Sequence, residues 1–212
     1  MLRTIKIILI TVLVVFLIVV SSGNFDIQSP AYASKRKDTS EIKIIDGNGY
    51  EVRVRKPVER IIVEYIDNAE LVSILNKKDK VVGVDFAIKQ TKSQFPELSQ
   101  RPSLGDMNKP DYEAVLKLKP DLLLTFSPET TEKKEKLPGV SVVFLGLYYP
   151  DLLNPQGSRF IKGVRNLGRI LEAEKEAEGY IKWYLGLINK IGSKTKSLAN
   201  NKMPKVFITT YA

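Results

Sequence analysis

The chain has 212 residues, 43% of them apolar and 27% charged, with a formal net charge of +9. That length holds one large domain or one and a half smaller ones, and the apolar share is ample for a core. Cysteine and histidine are both absent, which removes disulfides, thiol nucleophiles, a lipid anchor on cysteine, the usual zinc ligands and the histidine-dependent catalytic pairs, so an ordinary hydrolase is not expected.

The basic residues are scattered and alternate with acids instead of forming a stripe. The net charge therefore implies solubility or attraction to an anionic surface or ligand, and no nucleic-acid partner is expected. At the N-terminus, Arg3 and Lys6 precede an apolar run over residues 7–20, then Ser21, Ser22 and Gly23, then Ala31-Tyr32-Ala33. A basic n-region, an apolar h-region and a small-residue cleavage pattern read as an export signal over residues 1–33. The run is short of the ~20 apolar residues of a spanning helix, and an uncleaved anchor is the alternative. Either way the folded part is expected outside the cytoplasm, at the cell surface or in a periplasm. Residues 34–40 read as a polar linker.

"EIKIIDGNGYEVRV" places strand-like residues on both sides of Asp46-Gly47-Asn48-Gly49, a turn that tolerates positive φ, and predicts a hairpin. From Arg60 onward, short apolar runs alternate with helical patterns. "RIIVEY" reads as a buried strand, Asp67 or Asn68 as the cap of a helix through Leu75, and "KVVGVD" as a second strand parallel to the first. In "LGDMNKPDYEAVLKLKPDLLLTF", Pro110 suits a first helical turn, Tyr112, Val115 and Leu116 share a face, and Pro120 ends the helix before the buried strand "LLLTF". Pro128 and Glu129 are expected to open another short helix, followed by the strand "VSVVFL".

Beyond Pro155 the pattern is helical. Ala173, Ala177, Tyr180, Ile181, Tyr184, Ile188 and Ile191 recur at steps of three and four, the mark of a long helix with one apolar face. Asn200, Asn201 and Pro204 close it, and "KVFITTY" reads as a fresh strand.

This order of motifs resembles the substrate-binding proteins of ATP-driven importers, in particular the class III periplasmic binding proteins that capture ferric siderophores, haem and cobalamin. The resemblance runs from about residue 42 to 211 and is most specific in the "G…P-x-x-E…LKPDLLL" segment. It implies an α/β fold: a parallel-sheet N-terminal lobe with flanking helices over residues 41–171, preceded within it by the β-hairpin. A long interlobe helix follows over residues 172–199, and residues 204–212 supply the first strand of a C-terminal lobe that is otherwise largely absent. It also implies binding without catalysis, no cofactor, a metal-chelate ligand, an ABC permease as partner and a monomeric state. A membrane-tethered sensory or adhesive domain, or less readily one lobe of a metal-cluster enzyme, are the alternatives.

In parallel α/β sheets, ligands sit beyond the carboxyl ends of the strands. Residues 64–68, 85–88, 126–128 and 147–150 are the loops that rule selects, and the resemblance adds Gly105 and Asp106. The candidate ligand-binding residues are Tyr65, Asp85, Phe86, Gly105, Asp106, Phe126, Ser127, Tyr148 and Tyr149. Phe86 either packs on a flat ligand or covers the end of the sheet. The phenols of Tyr65, Tyr148 and Tyr149 are hard oxygen donors able to hydrogen-bond a chelate or to coordinate Fe³⁺. Gly105 is a backbone requirement, and Asp106 is equally a turn acid. Lys89, Lys92, Arg101 and Lys109 are either donors to a carboxylate-rich chelate or solvated charges. Glu113 would favour a helix N-terminus by roughly 0.3–1 kcal/mol, and the resemblance implies that it meets an arginine of the permease.

Overall fold

The computed structural model describes residues 40–196, apart from Met107 and Tyr149, together with Leu198 and Lys205. The expected export segment, most of the linker and, apart from Lys205, the strand expected at residues 204–212 lie outside the described residues.

Strands β1 (Ser40–Ile45) and β2 (Glu51–Lys56) form the expected antiparallel hairpin. Its turn is closed by Asp46, whose Oδ1 accepts from Asn48 N at 2.8 Å and Tyr50 N at 3.0 Å. The turn also docks on the main sheet. Gly47 N donates to Phe144 O at 2.7 Å, and a Cβ on Gly47 would lie 2.7 Å from Gly146 N, so this approach requires glycine.

The central sheet has four parallel strands in the order β4-β3-β7-β8: β3 (Ile61–Val63), β4 (Val81–Val84), β7 (Leu122–Thr125) and β8 (Ser141–Phe144). Helix α1 (Ile66–Ile74) links β3 to β4, and the short helix α2 (Phe86–Gln90) follows β4. A small ribbon of β5 (Gly105–Asp106) and β6 (Lys109–Pro110) leads into α3 (Tyr112–Lys117) before β7, and α4 (Thr131–Lys136) links β7 to β8. Both faces of the sheet are buried, as the unbroken apolar runs require. Ile61, Val63, Leu122, Leu124 and Val143 face the larger cluster with α1, the hairpin and the C-terminal helices, whereas Ile62, Leu123 and Val142 face Val115, Leu137 and Leu104.

The chain crosses from β4, on one side of β3, to β7 on the other. Connections therefore diverge between β3 and β7, which makes the carboxyl ends of these two strands the topological switch point of the sheet.

Several boundaries differ from those the sequence implies. Helix α1 has Tyr65 at its N-cap with no side-chain cap; Asp67 and Asn68 lie inside its first turn, and Asn68 Nδ2 instead donates to Glu64 O at 2.8 Å. Pro110 belongs to β6, because Asp111 caps α3 by accepting from Ala114 N at 2.9 Å. Val115 is buried but Leu116 is 40% exposed, since α3 has fewer than two turns and presents only a narrow face to the sheet. Helix α4 starts at Thr131, two residues beyond Glu129.

The long helical stretch divides into α5 (Arg159–Leu171) and α6 (Glu174–Thr195). Ser158 caps α5, and Glu172 ends it in the left-handed conformation at φ 53°. Ala177 and Ile181 of α6 are buried, and Tyr180 and Tyr184 meet Phe160, but Ile191 is 52% exposed, so the expected apolar face is covered only along the first half of the helix. No helix among the described residues is long and apolar enough to cross a membrane.

Candidate functional site

The residue that follows β3 is Glu64, and the next is Tyr65, whose backbone adopts φ 67° and ψ 159°. That region is populated almost entirely by glycine, costs of order 1–3 kcal/mol for other residues and persists only where the surroundings enforce it. Here the enforcement is visible: Asp85, at the end of the neighbouring strand β4, accepts from Tyr65 N through Oδ2 at 3.0 Å. The strained backbone places the Tyr65 ring against Phe126, which follows β7, with centroids 4.1 Å apart and planes tilted by 34°. Tyr148, beyond β8, meets Phe126 edge-on with centroids 6.0 Å apart. Three aromatic rings drawn from three strand ends thus form a floor at the switch point.

Buried polar groups hold this floor from below. Glu64 is 4% exposed and Lys133 of α4 is 5% exposed, and they pair at 2.5 Å. The other carboxylate oxygen of Glu64 accepts from Thr125 Oγ1 at 2.6 Å and from Phe126 N at 3.3 Å. Thr125 Oγ1 in turn accepts from Ser127 N at 3.1 Å. Burying an ion pair is tolerated when further hydrogen bonds satisfy its members, as they do for this carboxylate. The hairpin contributes as well, through Asn48 Nδ2 donating to Pro128 O at 2.8 Å.

A family model described as "Periplasmic binding protein" matches residues 61–211. The chain belongs to the periplasmic binding protein family. Solved structures with the same fold include the molybdate-binding protein MolA of Haemophilus influenzae, with TM-score 0.64 and 19% identity over 76% of this chain and 56% of that one. The petrobactin-binding protein YclQ of Bacillus subtilis gives 0.62 and 16% over 76% and 54%. A periplasmic haem-binding protein of Pseudomonas aeruginosa gives 0.52 and 29% over 66% and 50%. The chain therefore spans about half the length of the solved structures it matches. No curated protein sequence matches it.

In this periplasmic binding protein the carboxyl edge of the sheet gathers most of the residues singled out by sequence. Tyr65, Phe126 and Tyr148 meet directly, whereas Tyr149 lies outside the described residues. Asp85 is 3% exposed and spends both carboxylate oxygens on backbone N–H groups, Tyr65 through Oδ2 and Ile88 through Oδ1 at 3.1 Å, the latter as the N-cap of α2. Burial pushes its carboxyl above the ordinary range, opposed by those two hydrogen bonds. Its geometry suits positioning Tyr65 more than presenting a carboxylate to solvent. Phe86, next along, is 53% exposed.

Gly105 has φ 83°, and a Cβ there would stand 3.2 Å from Lys109 O, so both backbone reasons for glycine apply. It lies at this edge because Ser103 bridges Val84 in parallel and Leu104 N donates to Val84 O. Asp106 is exposed and accepts from Asn108 N as a turn acid at 2.8 Å. Ser127 accepts from Glu129 N through Oγ at 3.1 Å. Lys89 donates to Arg101 O at 3.0 Å, which ties it to a loop. Glu113 is exposed in the first turn of α3.

Sequence reading reaches Glu64 only as the first residue of the loop 64–68, with no role assigned, and does not single out Thr125 or Lys133. The one signal for Glu64 is a charge closing the apolar run "RIIVE"; Lys133 stands in "TEKKEK", where nothing separates it from the exposed Lys134. Among the described residues no cluster of acids could hold a metal ion.

Proposed function

We propose that this chain is the N-terminal lobe and interlobe helix of an extracytoplasmic solute-binding component of an ABC importer, and that it captures a metal chelate. The carrying observation is the aromatic floor of Tyr65, Phe126 and Tyr148 at the switch point. Tilted and edge-on rings offer apolar contact and, from the tyrosines, phenol oxygens, which suits a porphyrin, a corrin or a catecholate chelate of iron or cobalt. Solved proteins of the same fold include haem-binding and petrobactin-binding proteins, which agrees with that class. The role of this chain's residues is to bind, to orient the chelate face and to exclude water from it. A second lobe would supply the opposite wall of the cleft, and closure would create the surface that the permease recognises. Glu113, exposed on α3, would be this lobe's docking carboxylate.

Calorimetric titration of the full-length protein with haemin, a ferric catecholate and cobalamin tests the reading. One of the three is expected to bind, and Phe126→Ala is expected to weaken that binding roughly tenfold, about 1.4 kcal/mol. Binding of none, or equal binding by the variant, would sink the cleft assignment. Charge reversal at Glu113 is expected to leave chelate affinity unchanged and to abolish uptake; undiminished uptake would remove it from the docking surface.

A further inference from the structure

The carboxyl edge of the sheet contains a three-donor pocket that the chain fills with its own side chain. Lys133 Nζ lies 2.5 Å from Glu64 Oε1, while Thr125 Oγ1 and Phe126 N reach Oε2 at 2.6 and 3.3 Å. An ammonium, a hydroxyl and a backbone N–H converging within the span of one carboxylate are the donors that otherwise bind a free oxyanion. The pocket adjoins a cavity at Lys133. Lys133 and Ser127 line a polar cavity of about 580 Å³ whose wall includes Tyr112, Lys109 and three glutamates, Glu129, Glu132 and Glu135.

We propose that Glu64 is a specificity-determining residue: its carboxylate is a tethered anion that occupies an oxyanion pocket at the switch point and keeps free oxyanions out of the cleft floor. With the pocket filled from within, the Lys133 charge is turned toward Glu64, and the floor above offers rings instead of a cation. The fold itself is compatible with oxyanion cargo, since a molybdate-binding protein shares it. The pocket's chemistry stands apart from the identity of this chain's cargo, so failure of the chelate titration would leave it untouched.

Removing the carboxylate while keeping Lys133, Thr125 and the Phe126 amide should convert the pocket into a receptor for a small oxyanion. Thermal unfolding of full-length Glu64→Ala in rising formate, against chloride at equal ionic strength, reads this directly. The variant is expected to start below wild type and to rise along a saturable curve. At ten times the dissociation constant, formate raises its folded-to-unfolded ratio about elevenfold. Wild type and the double variant Glu64→Ala/Lys133→Met are expected not to respond. An equal response from all three, or none from Glu64→Ala, overturns the proposal. Should Glu64→Ala accumulate unfolded, its refolding yield in formate against chloride gives the same comparison, and equal yields overturn it.

Discussion

The two ends of the parallel sheet handle the same problem, strand ends with unsatisfied backbone groups, with opposite materials. At the amino end, charged side chains reach over from the surface to backbone atoms. Asp121 Oδ2 accepts from Glu59 N and Arg60 N at 2.8 and 2.9 Å. The Arg60 guanidinium donates to Leu118 O and Lys119 O, at the C-terminus of α3 where a cation suits the helix dipole, and Lys80 Nζ donates to Val58 O at 2.6 Å. At the carboxyl end, charges are buried beneath the surface, and Tyr65, Phe126 and Tyr148 lie above them. One edge is built for closure. The other carries a strained backbone, two half-buried rings and the exposed Tyr148, features that accompany binding sites.

Substitutions can break this contrast. The largest effect is expected from Asp121→Ala, which removes two hydrogen bonds to a charged acceptor at the amino edge and should cost about 2 kcal/mol. For a folded unit of this size that is a fall in melting temperature of roughly 5 °C, with chelate affinity unchanged. A loss of affinity matching the loss of stability would mean that the two edges are not separate in function. Next is Tyr65→Gly. Relief of the positive φ is expected to offset the lost ring packing, leaving stability within about 1 kcal/mol of wild type, while affinity falls several-fold. A large drop in stability with affinity intact would show that the strain serves packing alone.

The smallest effect concerns pH. Burial raises the Asp85 carboxyl above its ordinary value of 3.8, so the folded protein holds that proton more tightly than the unfolded chain does. Its contribution to stability is therefore greatest below pH 3.8 and falls as pH rises through the raised folded value. The melting temperature of wild type relative to Asp85→Asn should fall as pH rises across that range, because the amide does not titrate. A rise of wild type relative to the variant would mean that the hydrogen bonds from Tyr65 N and Ile88 N outweigh burial.

Much of the fold was legible because each parallel strand is a run of consecutive apolar residues bounded by turn chemistry. Residues 61–63, 81–84, 122–125 and 141–144 all stand inside the runs that sequence selects. Helix starts were less legible. Pro110 and Asp111 both carry helix-start chemistry, and only the capping bond from Ala114 N distinguishes them. The candidate site was legible as a set of loops and aromatic residues, but not as a construction. Nothing local marks Lys133 as buried among the exposed residues around it, because its partner Glu64 lies 69 positions away.

By itself the sequence determined the α/β alternation, the hairpin turn and the loops at the carboxyl ends of the strands, since these follow from local periodicity and from backbone preferences of glycine and proline. Only the tertiary structure decided that β7 pairs with β3, which creates the switch point, sets Phe126 against Tyr65 and buries Glu64 against Lys133. Strand order depends on long-range pairing, and the meeting of side chains from different strand ends depends on strand order.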